Sequence, residues 1–301
     1  MTAALRIGTR GSLLALTQAR AVAAAIGAPC ELVEITTAGD IDRARGDKSR
    51  WTGALEAALT ADEIDLAVHS AKDVPGDLAD GTAIVSALRR ADPFDVLVGE
   101  RSLDHVREGA RIGTSALRRR AQLLAARPDL VVGDLRGNVD TRLRKLAAGE
   151  VDVLVLAAAG LHRLGRRDEA GGTLLGEVFV PAAGQGVIAI QARTGTAAAD
   201  AASAVCHAST MACLAAERAA VGALGANCHA PVGVHAQFDT DSLRIRGFAG
   251  LPDGSSWVVD EVSTGADGEA AGRELAQRMI AAGAGELLRD AERLAAGGEA
   301  R

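Results

Sequence analysis

At 301 residues the chain is long enough for two or three domains and a sizeable core. Apolar residues make up 48% and charged residues 24%, an ordinary globular balance, but aromatic residues are only 2% and Tyr is absent, which leaves almost no platform for stacking the bases of a single-stranded nucleic acid. The net charge of -6 disfavours a polyanionic partner while permitting a local basic cleft.

Residues 1–10 lack a long apolar stretch after a basic start, so no signal peptide is expected. The longest apolar run, 153–161, is too short to cross a bilayer, and no membrane partner is expected. Cys30, Cys206, Cys213 and Cys228 form no CxxC pair, which reads as a reduced cytoplasmic protein rather than a disulfide scaffold.

In chain order, residues 5–8 read as a strand, Thr9-Arg10-Gly11-Ser12 as a turn with Ser12 as N-cap, and 13–25 as a helix. Residues 32–36 and 65–69 are apolar, partly β-branched runs typical of strands buried on both faces. Between them, 39–51 is polar and without periodicity, and connections of that length are often functional lids. Arg6-Ile7-Gly8-Thr9 then recurs as Arg111-Ile112-Gly113-Thr114, each copy leading through a basic residue into a helix. Glu63-Ile64-Asp65-Leu66-Ala67-Val68 is echoed by Glu150-Val151-Asp152-Val153-Leu154-Val155. Two α/β lobes of similar plan explain both echoes and predict mostly parallel sheets with ligands beyond the strand carboxyl ends. Both Gly-Thr turns fall there, at helix N-termini that attract anions. The last third changes character: a helix over 210–223, strands over 232–238, 242–248 and 257–263 with a Pro252-Asp253-Gly254 turn, and helices over 269–282 and 286–295 predict a small α+β domain.

Basic residues crowd these turns: Arg10, Arg118, Arg119, Arg120, Arg136, Arg142, Arg144 and Arg163. Any one of them suits a solvated helix face, but guanidinium forks at matching places in two lobes point to a ligand with several carboxylates or phosphates. Val68-His69-Ser70-Ala71-Lys72-Asp73-Val74-Pro75 ends a buried strand and gathers Ser, Lys and Asp at its carboxyl end. It reads equally as a strand exit with a surface ion pair or as a carboxylate held where positive charge develops. Cys228 lies in a Gly/Pro-punctuated loop, accessible as a nucleophile or attachment point, though cysteine is also commonly a small buried residue. Cys206, His207, Cys213, Cys228 and His229 match no usual zinc spacing, so no metal is expected. Neither a GxGxxG fingerprint nor a Walker loop is present, and Gly184-Gln185-Gly186 leads into a strand rather than a helix.

Taken together, eight motifs in order resemble the porphobilinogen deaminase family. They are Leu5-Arg6-Ile7-Gly8-Thr9-Arg10 with Ser12, the 68–75 segment, Gly113-Thr114-Ser115-Ala116-Leu117-Arg118-Arg119, and Leu135-Arg136-Gly137-Asn138-Val139-Asp140-Thr141-Arg142. Ala159-Gly160-Leu161-His162-Arg163-Leu164-Gly165, Pro181-Ala182-Ala183-Gly184-Gln185-Gly186, Ala216-Glu217-Arg218 and the Cys228 loop complete the set. The resemblance implies two periplasmic-binding-protein-like α/β lobes with a central cleft and a small α+β C-terminal domain. Its division would be 1–92 with 187–207, 93–186, and 208–301, the last carrying the cofactor cysteine. It implies a transferase that condenses four porphobilinogen molecules, with loss of ammonia, into linear hydroxymethylbilane on a dipyrromethane thioether-linked to Cys228. By motif position Asp73 would be catalytic. Cys228, Lys72, Ser70, Arg118, Arg119, Thr114 and Asp40 would hold the cofactor, and Arg10, Ser12, Arg136, Arg142, Arg163, Gln185 and Ser115 the substrate. The resemblance further implies a cytoplasmic monomer that binds porphobilinogen and no nucleic acid. The chain departs from the family pattern at Ala38, usually Arg, at Ala116, usually Ser or Gly, and in Lys48-Ser49-Arg50-Trp51-Thr52-Gly53. There Trp51 takes the aromatic place and Gly53 that of a second lysine. A bilobal anionic-ligand-binding protein without catalysis, or a catalytically impaired paralogue, stays open as the alternative.

Overall fold

The structure is a computed structural model and describes residues 4–37, 49–226, 230–265 and 267–298. Along the chain come β1 (Leu5–Thr9), α1 (Leu13–Ile26), β2 (Cys30–Glu34), α2 (Ser49–Thr60), β3 (Leu66–Ser70) with a 3-10 turn at Ala71–Asp73, β4 (Thr82–Ala87) and β5 (Asp95–Val98). Next are β6 (Arg111–Gly113), α3 (Leu117–Ala126), β7 (Val131–Gly133), α4 (Val139–Ala147), β8 (Val153–Ala157), α5 (Ala158–Arg163), β9 (Ile188–Arg193) and α6 (Ala197–Ser203). The chain ends with α7 (Ala208–Ala223), β10 (Val232–Asp239), β11 (Ser242–Gly250), β12 (Trp257–Thr264), α8 (Gly268–Ala281) and α9 (Ala284–Gly298). It divides into two compact units, residues 1–92, 163–165 and 184–211, and residues 93–162, 166–183 and 212–301.

The first unit is built on one sheet, ordered β2-β1-β3-β9-β4. Ser12 caps α1, its side chain accepting from the backbone N–H of Ala15, and Gly27 ends the helix in the left-handed conformation, its N–H donating to Ala23 O. Both faces of the sheet are covered. Ile7, Leu66, Val68, Ile188 and Ile190 pack with Ala19 and Val22 of α1 and with α6 on one side, while Ala67 packs with Leu55, Ala58 and Leu59 of α2 on the other. β1 runs parallel to β2 and β3, but β9 runs against both its neighbours. The expected mostly parallel sheet is corrected to a mixed one, because the chain from β3 reaches β9 by way of the second unit rather than through one crossover helix packed on this sheet, and so nothing imposes parallel pairing.

In the second unit a sheet ordered β5-β8-β6-β7 repeats that plan. β6 stands for β1, β7 for β2, β8 for β3, and the antiparallel β5 for β9. The sequence echo is carried in register: Ile7 pairs with Leu66 and Gly8 with Ala67, as Ile112 pairs with Val153 and Gly113 with Leu154. The same polar clasp closes both pairs. The backbone N–H and guanidinium of Arg6 donate to Asp65, and those of Arg111 donate to Asp152. These hydrogen bonds hold the Asp65 carboxyl below its usual range and the Asp152 carboxyl down to about 2.

A third sheet, β10-β11-β12, is antiparallel throughout. Val234, Ile245 and Val262 pack with Ala216 of α7, Leu275 and Met279 of α8 and Leu288 of α9. Helix α8 lies so close to α7 that a Cβ at Gly272 would stand 2.2 Å from Ala216 O. The expected small α+β portion is therefore present, with each predicted strand and helix found within a few residues of its place.

Candidate polycarboxylate-binding site

In the first unit three separate motifs meet at the carboxyl end of β3. After Ser70 the chain makes its 3-10 turn, and Val74 is extended, as the residue before Pro75 must be. The Gly184-Gln185-Gly186 turn packs against this exit. Gly184 has φ +72°, and a Cβ there would meet the backbone of Ala71 and Lys72 at 2.8 Å, so only glycine fits. Lys72 Nζ donates to Gln185 Oε1 at 3.3 Å, and Gln185 is buried. Arg90 Nε donates to Gln185 O, and the Arg163 guanidinium donates to Gly186 O at 2.6 Å. Arg163 makes no ion pair among the described residues, and burial pushes its guanidinium down to about 10.

Asp73 sits half-buried within this group, and its carboxylate has no hydrogen bond or ion pair among the described residues. The surface ion pair with Lys72 that an ordinary strand exit would offer is not made. Ser70 Oγ accepts from Gln18 Nε2 of α1 at 2.9 Å, which leaves the hydroxyl hydrogen to point elsewhere. On the neighbouring β1–α1 turn, Arg10 lies over the ring of Trp51, its Cζ 3.9 Å from the ring centroid, and Ser12 is engaged as the α1 cap.

In the second unit the matching strand ends carry a buried charge cluster. Arg118 donates to Asp95 Oδ2 at 2.7 Å and to Val180 O, and Arg119 donates to Asp95 Oδ1 at 2.8 Å and to Val155 O. All three residues are about 5% exposed. Burial alone would raise the Asp95 carboxyl, but two guanidiniums outweigh it and hold it well below the carboxylate range. Two cations to one carboxylate leave a surplus positive charge in a buried place. Thr114 is buried with its N–H on Gly133 O and its hydroxyl accepting from Ala116 N. Arg142 donates to Gly137 O and Ser115 Oγ, and burial together with the charge of Arg119 pushes its guanidinium down to about 10. Arg136 is exposed and pairs with Asp134. Arg120 and Arg144 are exposed as well. Of the expected site residues, Cys228 and Asp40 lie outside the described residues, as does most of the 39–51 connection.

The sequence reading missed Asp95, Gln18 and Gln191. Each carries a readable signal, a polar side chain inside an apolar strand or helix that is expensive to bury without a partner. Gln191 Oε1 accepts from His69 Nε2 at 2.9 Å, and its Nε2 donates to Glu56 and Thr82, tying α2 to β3, β9 and β4.

Each unit carries desolvated cations at its strand carboxyl ends, an arrangement in an α/β protein that suits binding of carboxylate groups. A family model described as "Porphobilinogen deaminase, dipyromethane cofactor binding domain" matches residues 5–201, and one described as "Porphobilinogen deaminase, C-terminal domain" matches residues 211–281. The porphobilinogen deaminase of Trichlorobacter lovleyi is 42% identical over 299 residues, 95% of this chain and 96% of that one. That of Deinococcus radiodurans is 42% identical over 300 residues, 94% of this chain and 97% of that one. Among solved structures, the second substrate binding domain of a putative amino acid ABC transporter from Streptococcus pneumoniae is 10% identical over 67% of this chain and 91% of that one, with a TM-score of 0.42. The chain belongs to the porphobilinogen deaminase family. It is a transferase of tetrapyrrole biosynthesis that condenses porphobilinogen with loss of ammonia and carries a dipyrromethane cofactor.

Proposed function

We propose that Asp73 is the catalytic residue of this condensation and that Cys228 is the covalent attachment point of the dipyrromethane. The observation that carries the reading is the meeting of Asp73, Lys72, Gln185 and Arg163 from three motifs at one strand end, with the Asp73 carboxylate unpaired and the Arg163 cation uncompensated.

The bound dipyrromethane supplies a nucleophilic pyrrole carbon as the primer for chain growth. The residues present suit such a group. The surplus charge of the Arg118–Asp95–Arg119 cluster would be balanced by its carboxylates, with Thr114, Ser70, Lys72 and Asp40 as further polar partners. Arg10, Ser12, Ser115, Arg136, Arg142, Arg163 and Gln185 hold the acetate and propionate groups of porphobilinogen, each guanidinium acting as a planar fork. Asp73 accepts from pyrrole N–H and stabilises the positive charge that develops on the ring as ammonia leaves. An oriented carboxylate in a half-buried place does this without reorganisation. The division into residues 1–92 with 187–207, 93–186 and 208–301, and action as a cytoplasmic monomer, belong to the same reading. No helix among the described residues is long and apolar enough to cross a membrane.

The chain's other thiols support Cys228 as the attachment point. Cys213 is buried, Cys30 and Cys206 are half-buried, and burial raises the Cys30 thiol, which makes it a poorer nucleophile at neutral pH. Purified protein should be heavier than its sequence by one dipyrromethane. Cys228→Ser should abolish the adduct and nearly all activity. An adduct mapped to Cys30, Cys206 or Cys213 would overturn the assignment.

A further inference from the structure

We infer that Trp51 is a positioning residue for the carboxylate-binding Arg10. Arg10 stands at the carboxyl end of β1, in the turn that leads to α1, and Trp51 stands in the first turn of α2. The Arg10 Cζ lies over the Trp51 ring, 3.9 Å from its centre, which is well inside cation–π range. Of the aromatic side chains indole has the most negative face, and a guanidinium stacked on it keeps its N–H donors in its own plane, directed to the sides. A bidentate carboxylate approaches a guanidinium in that same plane. The indole therefore fixes the plane of the fork without consuming a donor, and it shields one face of the cation from water, which strengthens the pull on an incoming carboxylate.

Trp51 is not what docks α2. The helix is held by Leu55, Ala58 and Leu59, packed with Ile64 and Ala67, and by Glu56 through Gln191. Removing the indole should thus loosen Arg10 while the helix stays in place. The inference rests on Arg10 being a ligand for a substrate carboxylate, so the test separates the two claims.

Steady-state turnover of porphobilinogen should be measured for Trp51→Leu, Trp51→Phe, Arg10→Ala and the Trp51→Leu/Arg10→Ala double variant, with melting temperatures as the folding control. Trp51→Leu should raise KM roughly five- to thirtyfold with kcat nearly unchanged, the scale of one partly desolvated cation–π contact. Trp51→Phe should recover most of that loss. In the Arg10→Ala background, Trp51→Leu should add almost nothing, because the indole acts through Arg10. If Arg10→Ala raises KM and Trp51→Leu does not, the positioning role is overturned and the Arg10 assignment survives. An undiminished effect of Trp51→Leu without Arg10 would show that the indole serves the ligand directly, which also overturns it. An unchanged KM in Arg10→Ala overturns both claims.

Discussion

Asp73 and Asp95 show how much a carboxylate's surroundings decide its work. Asp95 is buried, paired twice and held down by Arg118 and Arg119, so its charge is already committed. Asp73 is half-buried and unpaired, so its charge is available. Positive charge arises on a pyrrole only as ammonia departs. A fixed carboxylate beside that ring therefore stabilises the transition state more than the bound substrate. Asp73→Asn keeps the shape and one acceptor and removes the charge. It should fold normally and lose at least about two orders of magnitude in turnover, with a smaller change in KM, the scale for one oriented electrostatic group. Asp73→Glu should retain more activity than Asn, since it keeps the charge and moves it by one methylene. Ammonia release from porphobilinogen measures both. Near-normal turnover in Asp73→Asn would reduce Asp73 to an ordinary strand-end residue.

Elements were legible in the sequence where one element's pattern was complete in itself. The Ser12 cap, the α1 span and the alternation of β10, β11 and β12 were all readable, and the Arg6/Arg111 and Asp65/Asp152 echoes gave the repeated sheet plan before any strand was paired. The direction of β9 was not readable, because pairing across more than a hundred residues leaves no local mark. Strand 32–36 was placed two residues late, since Cys30 and Glu31 pair with Leu5 and Arg6 without looking like strand. The polar network across α2, β3, β9 and β4 was invisible for the same reason: Glu56, Thr82, Gln191 and His69 are far apart in sequence. That network gives a pH prediction. Burial pushes the His69 imidazole down to about 4, against an unfolded value near 6.5. Between those values the unfolded chain binds a proton that the native state refuses, so stability rises with pH through this window and is lost as pH falls. The full loss is on the order of 3 kcal/mol. Asp65, Asp95 and Asp152, whose native values are depressed, lose their contributions at lower pH than this window. His69→Gln should flatten the dependence of unfolding free energy on pH between about 6.5 and 4, a range set by the two His69 values. An unchanged slope in denaturant titrations would show that His69 is protonated in the native state.

Over the whole molecule the net charge is -6, yet the strand ends of both units hold cations in desolvated places. Surface arginines with carboxylate partners, such as Arg127 with Asp129, cost the fold little. Arg142 and Arg163 are different. Each is largely withdrawn from water, each donates only to neutral oxygens among the described residues, and Arg142 is further repelled by Arg119, which the more weakly acting charge of Asp134 offsets in part. Burying a charge without a counter-charge is destabilising, and the native state tolerates it when a ligand later supplies the missing anion. Replacing either residue with Met keeps a long apolar stem, which still packs, and removes the charge. In protein lacking the dipyrromethane, which Cys228→Ser should provide, Arg142→Met and Arg163→Met should each raise the melting temperature by a few degrees, the shift expected of roughly 1 kcal/mol in a chain of this size. In the cofactor-bearing enzyme with porphobilinogen bound the same substitutions should cut turnover sharply and should no longer stabilise, because there the substrate carboxylates neutralise the cations. Scanning calorimetry of both backgrounds, paired with turnover, reads the two effects separately. A lower melting temperature in the cofactor-free background would mean that the hydrogen bonds to Gly137, Ser115 and Gly186 outweigh the buried charge, and that these arginines hold the fold rather than wait for a ligand.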